Sequence, residues 1–141
     1  MARFLYRLCC AGLLGAQVFF AAGAARVVFH SGLERRVAGD LVGAMLARLD
    51  SATLAFTALA ALCAVLLGKP RRAVAPLFTG LFAAATAFLI TPAIHALRAG
   101  GETGSPAFGR LHVASLCALG AEMILLIVAI WLAPEPEDRQ A

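Results

Sequence analysis

Apolar residues along the chain gather into four long runs, at about 8–29, 51–67, 74–94 and 108–132, separated by short polar stretches. A helix needs ~20 mostly apolar residues to cross a hydrocarbon core ~30 Å thick at ~1.5 Å per residue. The pattern therefore predicts an all-α integral membrane protein, a bundle of four transmembrane helices forming a single domain over 1–134. The second run is the shortest. Arg48-Leu49-Asp50-Ser51 reads as its N-cap and acidic first turn, and Gly68-Lys69-Pro70 as its stop. The brief basic connection from Lys69 to Val74 makes spans two and three antiparallel neighbours. Pro134, Pro136 and the acids Glu135, Glu137 and Asp138 mark a polar tail over 135–141.

Between spans one and two the pattern changes. Leu33, Val37, Leu41, Met45 and Leu49 recur every fourth residue, with Glu34, Arg35, Arg36, Asp40 and Arg48 mostly elsewhere. One apolar face of this kind predicts an amphipathic helix over about 33–49, lying in the membrane interface. Between spans three and four, Gly100, Gly101, Gly104 and Pro106 have the chemistry of a loop. Arg3 and Arg7 before an apolar run, with Ala22-Gly23-Ala24 after it, also resemble a secretory leader, which would leave three spans. The run continues past that point to Phe29, which favours a span.

Composition narrows the function classes. Of 141 residues, 62% are hydrophobic and 14% charged, against ~45–50% apolar and ~25% charged in a soluble domain. A soluble globule, a disordered chain and a nucleic-acid module are excluded, and the bilayer is the expected partner, with a partner protein or a homo-oligomer beside it. The net charge of +4 comes from cations that flank the apolar runs, where they set topology or meet lipid headgroups. With both termini on one side, each face carries six basic residues. Three of them, Lys69, Arg71 and Arg72, crowd the shortest loop, which favours cytoplasmic termini. Arginine in place of lysine and abundant Ala and Gly suggest a GC-rich bacterial source, hence the bacterial inner membrane. Cys9, Cys10, Cys63 and Cys117 have no CxxC or zinc spacing and read as small apolar packing residues.

A few polar residues inside the spans need an account. Glu122 lies near the centre of span four. A central charge costs roughly 2.5–3.5 kcal/mol, while the span's Leu, Ile, Phe and Val residues return roughly 5, so the span inserts with its acid either partnered or protonated. Gln17 sits at similar depth in the antiparallel span one, and a Gln17 to Glu122 hydrogen bond is expected. Small residues four apart occur in every span (Gly12/Ala16, Thr57/Ala61, Gly80/Ala84, Ala114/Ala118) and permit close helix packing. His112, Ser115 and Glu122 fall within about 80° of helix arc and should face the interior. Arg26, one turn before His30, is expected either to snorkel or to join this polar network.

Antiparallel tracing brings His30, His95 and His112 to one membrane face. Neutral imidazole is the usual nitrogen ligand of metals and haem iron, so these three form a candidate haem or copper site. No catalytic residue is identified: Ser115 beside His112 is not a triad, and GxSxG, GxGxxG and Walker patterns are absent.

Gly15-Ala16-Gln17-Val18-Phe19-Phe20, Val27-Val28-Phe29, Val37 to Gly43, Thr91-Pro92-Ala93-Ile94 and above all Phe108-x-x-Leu111-His112-x-x-Ser115 resemble the transmembrane protein 205-like family, a domain of unknown function numbered 4149. The resemblance extends over about Leu8 to Leu132. Two positions depart from it: Ala25-Arg26 stands for the family's Ala-Pro, and Leu119 for an Asn. The resemblance implies a four-helix fold similar to that of the copper-resistance D and HemJ-type membrane proteins, which handle copper and haem, and it draws attention to His112, then His95 and His30. The expected function is a non-enzymatic accessory or packing module. A haem- or copper-binding redox protein and a small carrier or channel past Glu122 are the alternatives.

Overall fold

In hydrocarbon a backbone must satisfy its own hydrogen bonds, and the four apolar runs do so as helices. A computed structural model describes residues 1–133; the tail expected over 135–141 lies outside the described residues. The helices are α1 (Ala2–His30), α2 (Arg35–Leu66), α3 (Pro70–Ala99) and α4 (Pro106–Trp131), each long and apolar enough to cross a membrane. Each packs against the next, and α4 closes the ring against α1. The protein is an integral membrane four-helix bundle.

The turns follow from local chemistry. Gly68 adopts φ +69° after α2, where a side chain would be strained. Lys69 N then donates to Ala64 O at 3.0 Å and Gly68 N to Val65 O at 2.9 Å, closing the helix end in the two-bond pattern that a left-handed glycine permits. Gly101 repeats the device after α3, with Glu102 N on Leu97 O at 2.9 Å. Ser105 Oγ accepts from Phe108 N at 3.2 Å and caps α4, with Pro106 in its first turn.

The structure corrects the expected surface helix. Residues 35–49 are not a separate interfacial element but the first half of α2, which runs unbroken for 32 residues. At ~1.5 Å per residue that is about 48 Å, well beyond the hydrocarbon thickness. Asp50 and Ser51 do not cap a helix: Asp50 is buried at mid-bundle, and Ser51 Oγ bonds back to Ala47 O at 2.9 Å. With neither Gly nor Pro from Ala44 to Leu67, nothing breaks the helix. Val37 and Leu41, part of the expected apolar stripe, face outward, and Ala38 is the buried neighbour.

Two spans contain a π turn, Phe20–Ala24 in α1 and Thr86–Ile90 in α3. The second precedes Pro92, which lacks an N–H and whose ring crowds the carbonyl one turn before it; a wider turn relieves that conflict. The first contains no proline, and nothing in its sequence explains it beyond the presence of Gly23.

The bundle has three levels. At the end holding Met1 it is closed and tight, with Tyr6, Cys9, Cys10, Leu13, Cys63 and Leu126 packed among alanines. Tyr6 Oη lies 3.1 Å from Arg72 O and 3.3 Å from Ala129 O, and so holds α1 to α4 and to the α2–α3 connection. The middle level is polar, and the far end is open. Of the small-residue positions, Gly12, Ala16 and Ala114 face outward, whereas Gly80 meets α2 so closely that a Cβ there would stand 2.9 Å from Thr57 Oγ1. That hydroxyl is itself held by Thr53 O at 2.6 Å and cannot swing aside freely. Gly80→Leu is expected to destabilise the protein by about 1–3 kcal/mol through overpacking, and Gly12→Leu to be near neutral. Thermal unfolding in detergent of both variants, and of Gly80→Leu combined with Thr57→Ala, checks this; the double variant should recover part of the loss.

Candidate functional site

The middle level is built by α1, α2 and α4. Gln17 is 0% exposed and Glu122 2% exposed. Gln17 Nε2 donates to Glu122 Oε2 at 2.7 Å and reaches Thr53 Oγ1 at 3.5 Å. This is the pairing that the matched depths of spans one and four anticipate, because antiparallel helices of similar length cross mid-membrane together. Asp50, on the turn before Thr53, is 2% exposed and within electrostatic reach of Glu122. Two carboxyl groups thus share this level with one amide. Gln17 Oε1 and Asp50 Oδ2 are buried with no hydrogen-bond partner among the described residues. Asp50 escapes sequence reasoning because the second span, begun at residue 51, leaves it in the interface, and Thr53, inside that span, carries no charge to mark it.

The other residues expected in the network stand apart from it. Ser115 is buried at 9% exposure, two turns above Glu122, and no hydrogen bond among the described residues joins it or Arg26 to the Gln17–Glu122 pair. Arg26 is exposed. Cys117, on the opposite face of α4, is exposed, while the other three cysteines are buried.

The open level holds two adjoining cavities. The inner one, about 280 Å³, has apolar walls that include Phe20, Leu46, Ile94 and Leu119, with His95, His112 and Ser115 among them. The outer one, about 630 Å³, is edged by Arg35, Arg36, Arg98, Glu34 and Thr103. Phe29, Gly39, Arg98, Phe108 and His112 line both. Both π turns lie at this level: Phe20 and Ala21 belong to the first, and Thr91 and Ile94 follow directly on the second.

Two glycines shape the wall that α2 contributes. A Cβ on Gly39 would sit 3.3 Å from Arg98 Nη2, and one on Gly43 3.8 Å from Arg98 Nη1 and 3.9 Å from His95 Cε1. Gly39-x-x-x-Gly43 therefore receives side chains of α3 and not another helix backbone. Arg98 Nη1 pairs with Asp40 Oδ1 at 2.8 Å across the same groove, tying α2 to α3.

Of the three histidines, the structure brings two to one cavity. His95 and His112 both line the inner chamber, from α3 and α4. His112 is exposed, not packed in the interior with Ser115 and Glu122. His30 lines neither cavity, and its Nδ1 lies 2.8 Å from the Arg26 carbonyl oxygen. Among the described residues no group of three or more His, Cys, Asp and Glu side chains is placed to hold a metal ion. Neither cavity is lined by Arg26, Gln17 or Glu122.

The family model of a domain of unknown function, DUF4149, matches residues 8–103. The chain belongs to the DUF4149 family. The matched stretch includes Gln17, His30, Asp50 and His95 and ends before α4, which supplies His112, Ser115 and Glu122 to this DUF4149 protein. No curated protein and no solved structure matches the chain.

A double-mutant cycle on Gln17→Ala and Glu122→Ala measures the middle level. Interhelical hydrogen bonds in membrane proteins couple by ~0.6 kcal/mol on average and ~1.7 at most. A coupling near the upper value is expected here, since the bond is short and buried. Glu122→Gln should keep most of the stability, because its amide oxygen still accepts from Gln17. Unfolding in mixed micelles is the measurement, and a coupling of zero would remove the bond's structural role.

Proposed function

We propose that this DUF4149 protein is a non-enzymatic accessory or packing module of the bacterial inner membrane, with both termini on the cytoplasmic side. The observation that carries the reading is the Gln17–Glu122 bond. The one acid at the centre of span four is spent on an amide of a neighbouring helix, in a closed level to which neither cavity leads. An acid so placed serves to hold helices together, and truncating either partner leaves a polar group stranded. The orientation rests on Lys69, Arg71 and Arg72, crowded into the loop on the termini side. The outward faces are apolar and suit lipid, with a partner protein or a second copy of the chain as the further contact. A wider kinship with the transmembrane protein 205-like proteins, and in fold with the copper-resistance D and HemJ-type proteins, is supported by the segments quoted above, chiefly Phe108 to Ser115.

A second reading, a haem-binding membrane protein, is favoured by His95 and His112 on one cavity. His95 and His112 are the residues that would hold a haem iron there, and the bound group would supply electron-transfer chemistry. The fit to copper is poorer: a His₂Cys set needs a thiol beside the imidazoles, and no cysteine lines the inner chamber. The two readings separate on His112→Ala. In the accessory reading the protein purified in mild detergent has the same visible spectrum and metal content with and without the substitution, and only its stability changes. A Soret band with stoichiometric iron that is lost in His112→Ala would replace that reading by the second.

A further inference from the structure

We infer that the adjoining cavities form a binding site for a single-chain anionic amphiphile, a long-chain carboxylate. The inference is independent of the accessory reading, since it concerns the open end of the bundle and not the middle level.

Charge at the mouth indicates the head. Arg35, Arg36 and Arg98 edge the outer chamber with one acid, Glu34. Arg98 is neutralised by Asp40, but among the described residues neither Arg35 nor Arg36 takes part in an ion pair. Two uncompensated guanidinium groups at the membrane surface are suited to a carboxylate, which they bind through paired N–H donors.

The inner chamber indicates the tail. Its walls are mostly apolar, and no carboxylate lines it. At ~30 Å³ per water molecule, 280 Å³ is the space of roughly nine waters, which accepts part of one alkyl chain and is too small for two side by side. Phe29, Phe108 and His112, shared by both chambers, make the neck between head and tail. Gly39, which also lines both chambers, adds no side chain of α2 to this neck.

Selectivity must come from the head. A bilayer solvates an alkyl chain as well as an apolar pocket does, so moving the tail from lipid to protein gains little. Only the arginines distinguish the ligand from the lipid around it. The experiment follows from this: a fluorescent long-chain carboxylate and the alcohol of the same chain length are titrated into the full-length protein in an uncharged detergent. The native protein should bind the carboxylate about tenfold more tightly, the scale of one charge-assisted hydrogen bond. Arg35→Gln with Arg36→Gln should abolish that preference and leave alcohol binding unchanged. Gly43→Leu, which places a side chain in the inner chamber, should weaken both ligands, with circular dichroism and thermal unfolding confirming that each variant is folded. Equal binding of the two ligands by the native protein, or carboxylate binding insensitive to the arginine substitutions in a folded variant, overturns the proposal. Native mass spectrometry of the purified protein closes the remaining routes: a bound long-chain carboxylate supports it, and a two-chain phospholipid or a haem displaced by Gly43→Leu overturns it.

Discussion

A carboxyl group in the middle of a membrane must find its partners within the protein, and for Glu122 the partner is Gln17, 2.7 Å away. That bond fixes the relative height of α1 and α4, because a slide of one residue along either helix would move one group ~1.5 Å and rotate it by about 100° away from the other. Thr53 brings α2 into the same arrangement. Apolar helices in lipid lack a hydrophobic force to draw them together, so a polar contact that tolerates only one register gives this bundle much of its definition. Close approach completes it where side chains are small, as at Gly80 against Thr57.

The polar level also divides the bundle. On one side lies an apolar core that Tyr6 closes against the α2–α3 connection and α4. On the other, the helices spread around chambers whose walls combine π turns, glycines on α2 and bulky aromatics. The contrast follows from residue choice. Alanines and cysteines let backbones approach at the closed end, whereas Phe20, Phe29 and Phe108 hold them apart at the open one. The Arg98–Asp40 pair braces the open end, tying α2 to α3 across the groove.

Much of the fold was legible in the sequence, because hydrophobic length dominates the energetics of insertion. The four spans and the Gly-rich loop before α4 follow from it, and so does the shared depth of Gln17 and Glu122. The continuity of α2 was not legible. Arg48, Asp50 and Ser51 look like a helix start, and only the tertiary structure shows that Asp50 is taken into the bundle and that Ser51 bonds back within the helix. A four-residue apolar repeat is equally compatible with a helix on the membrane and with one whose outer face meets lipid. Topology was enough to bring His95 and His112 together, but not to show that the ring of His30 is engaged by its own helix. The π turn in α1 and the hydroxyl of Tyr6 had no local signature, since both depend on what the neighbouring helices supply.

A bundle closed at one end and hollow at the other meets the two leaflets of a membrane as two different objects. One leaflet abuts a sealed wall, and the other a recess between helices that opens toward the headgroups. The hydrophobic runs are nearly indifferent to which way up the protein inserts, so orientation is left to the cations that flank them. Whichever way up the protein lies, the recess therefore serves one compartment and the sealed end faces the other.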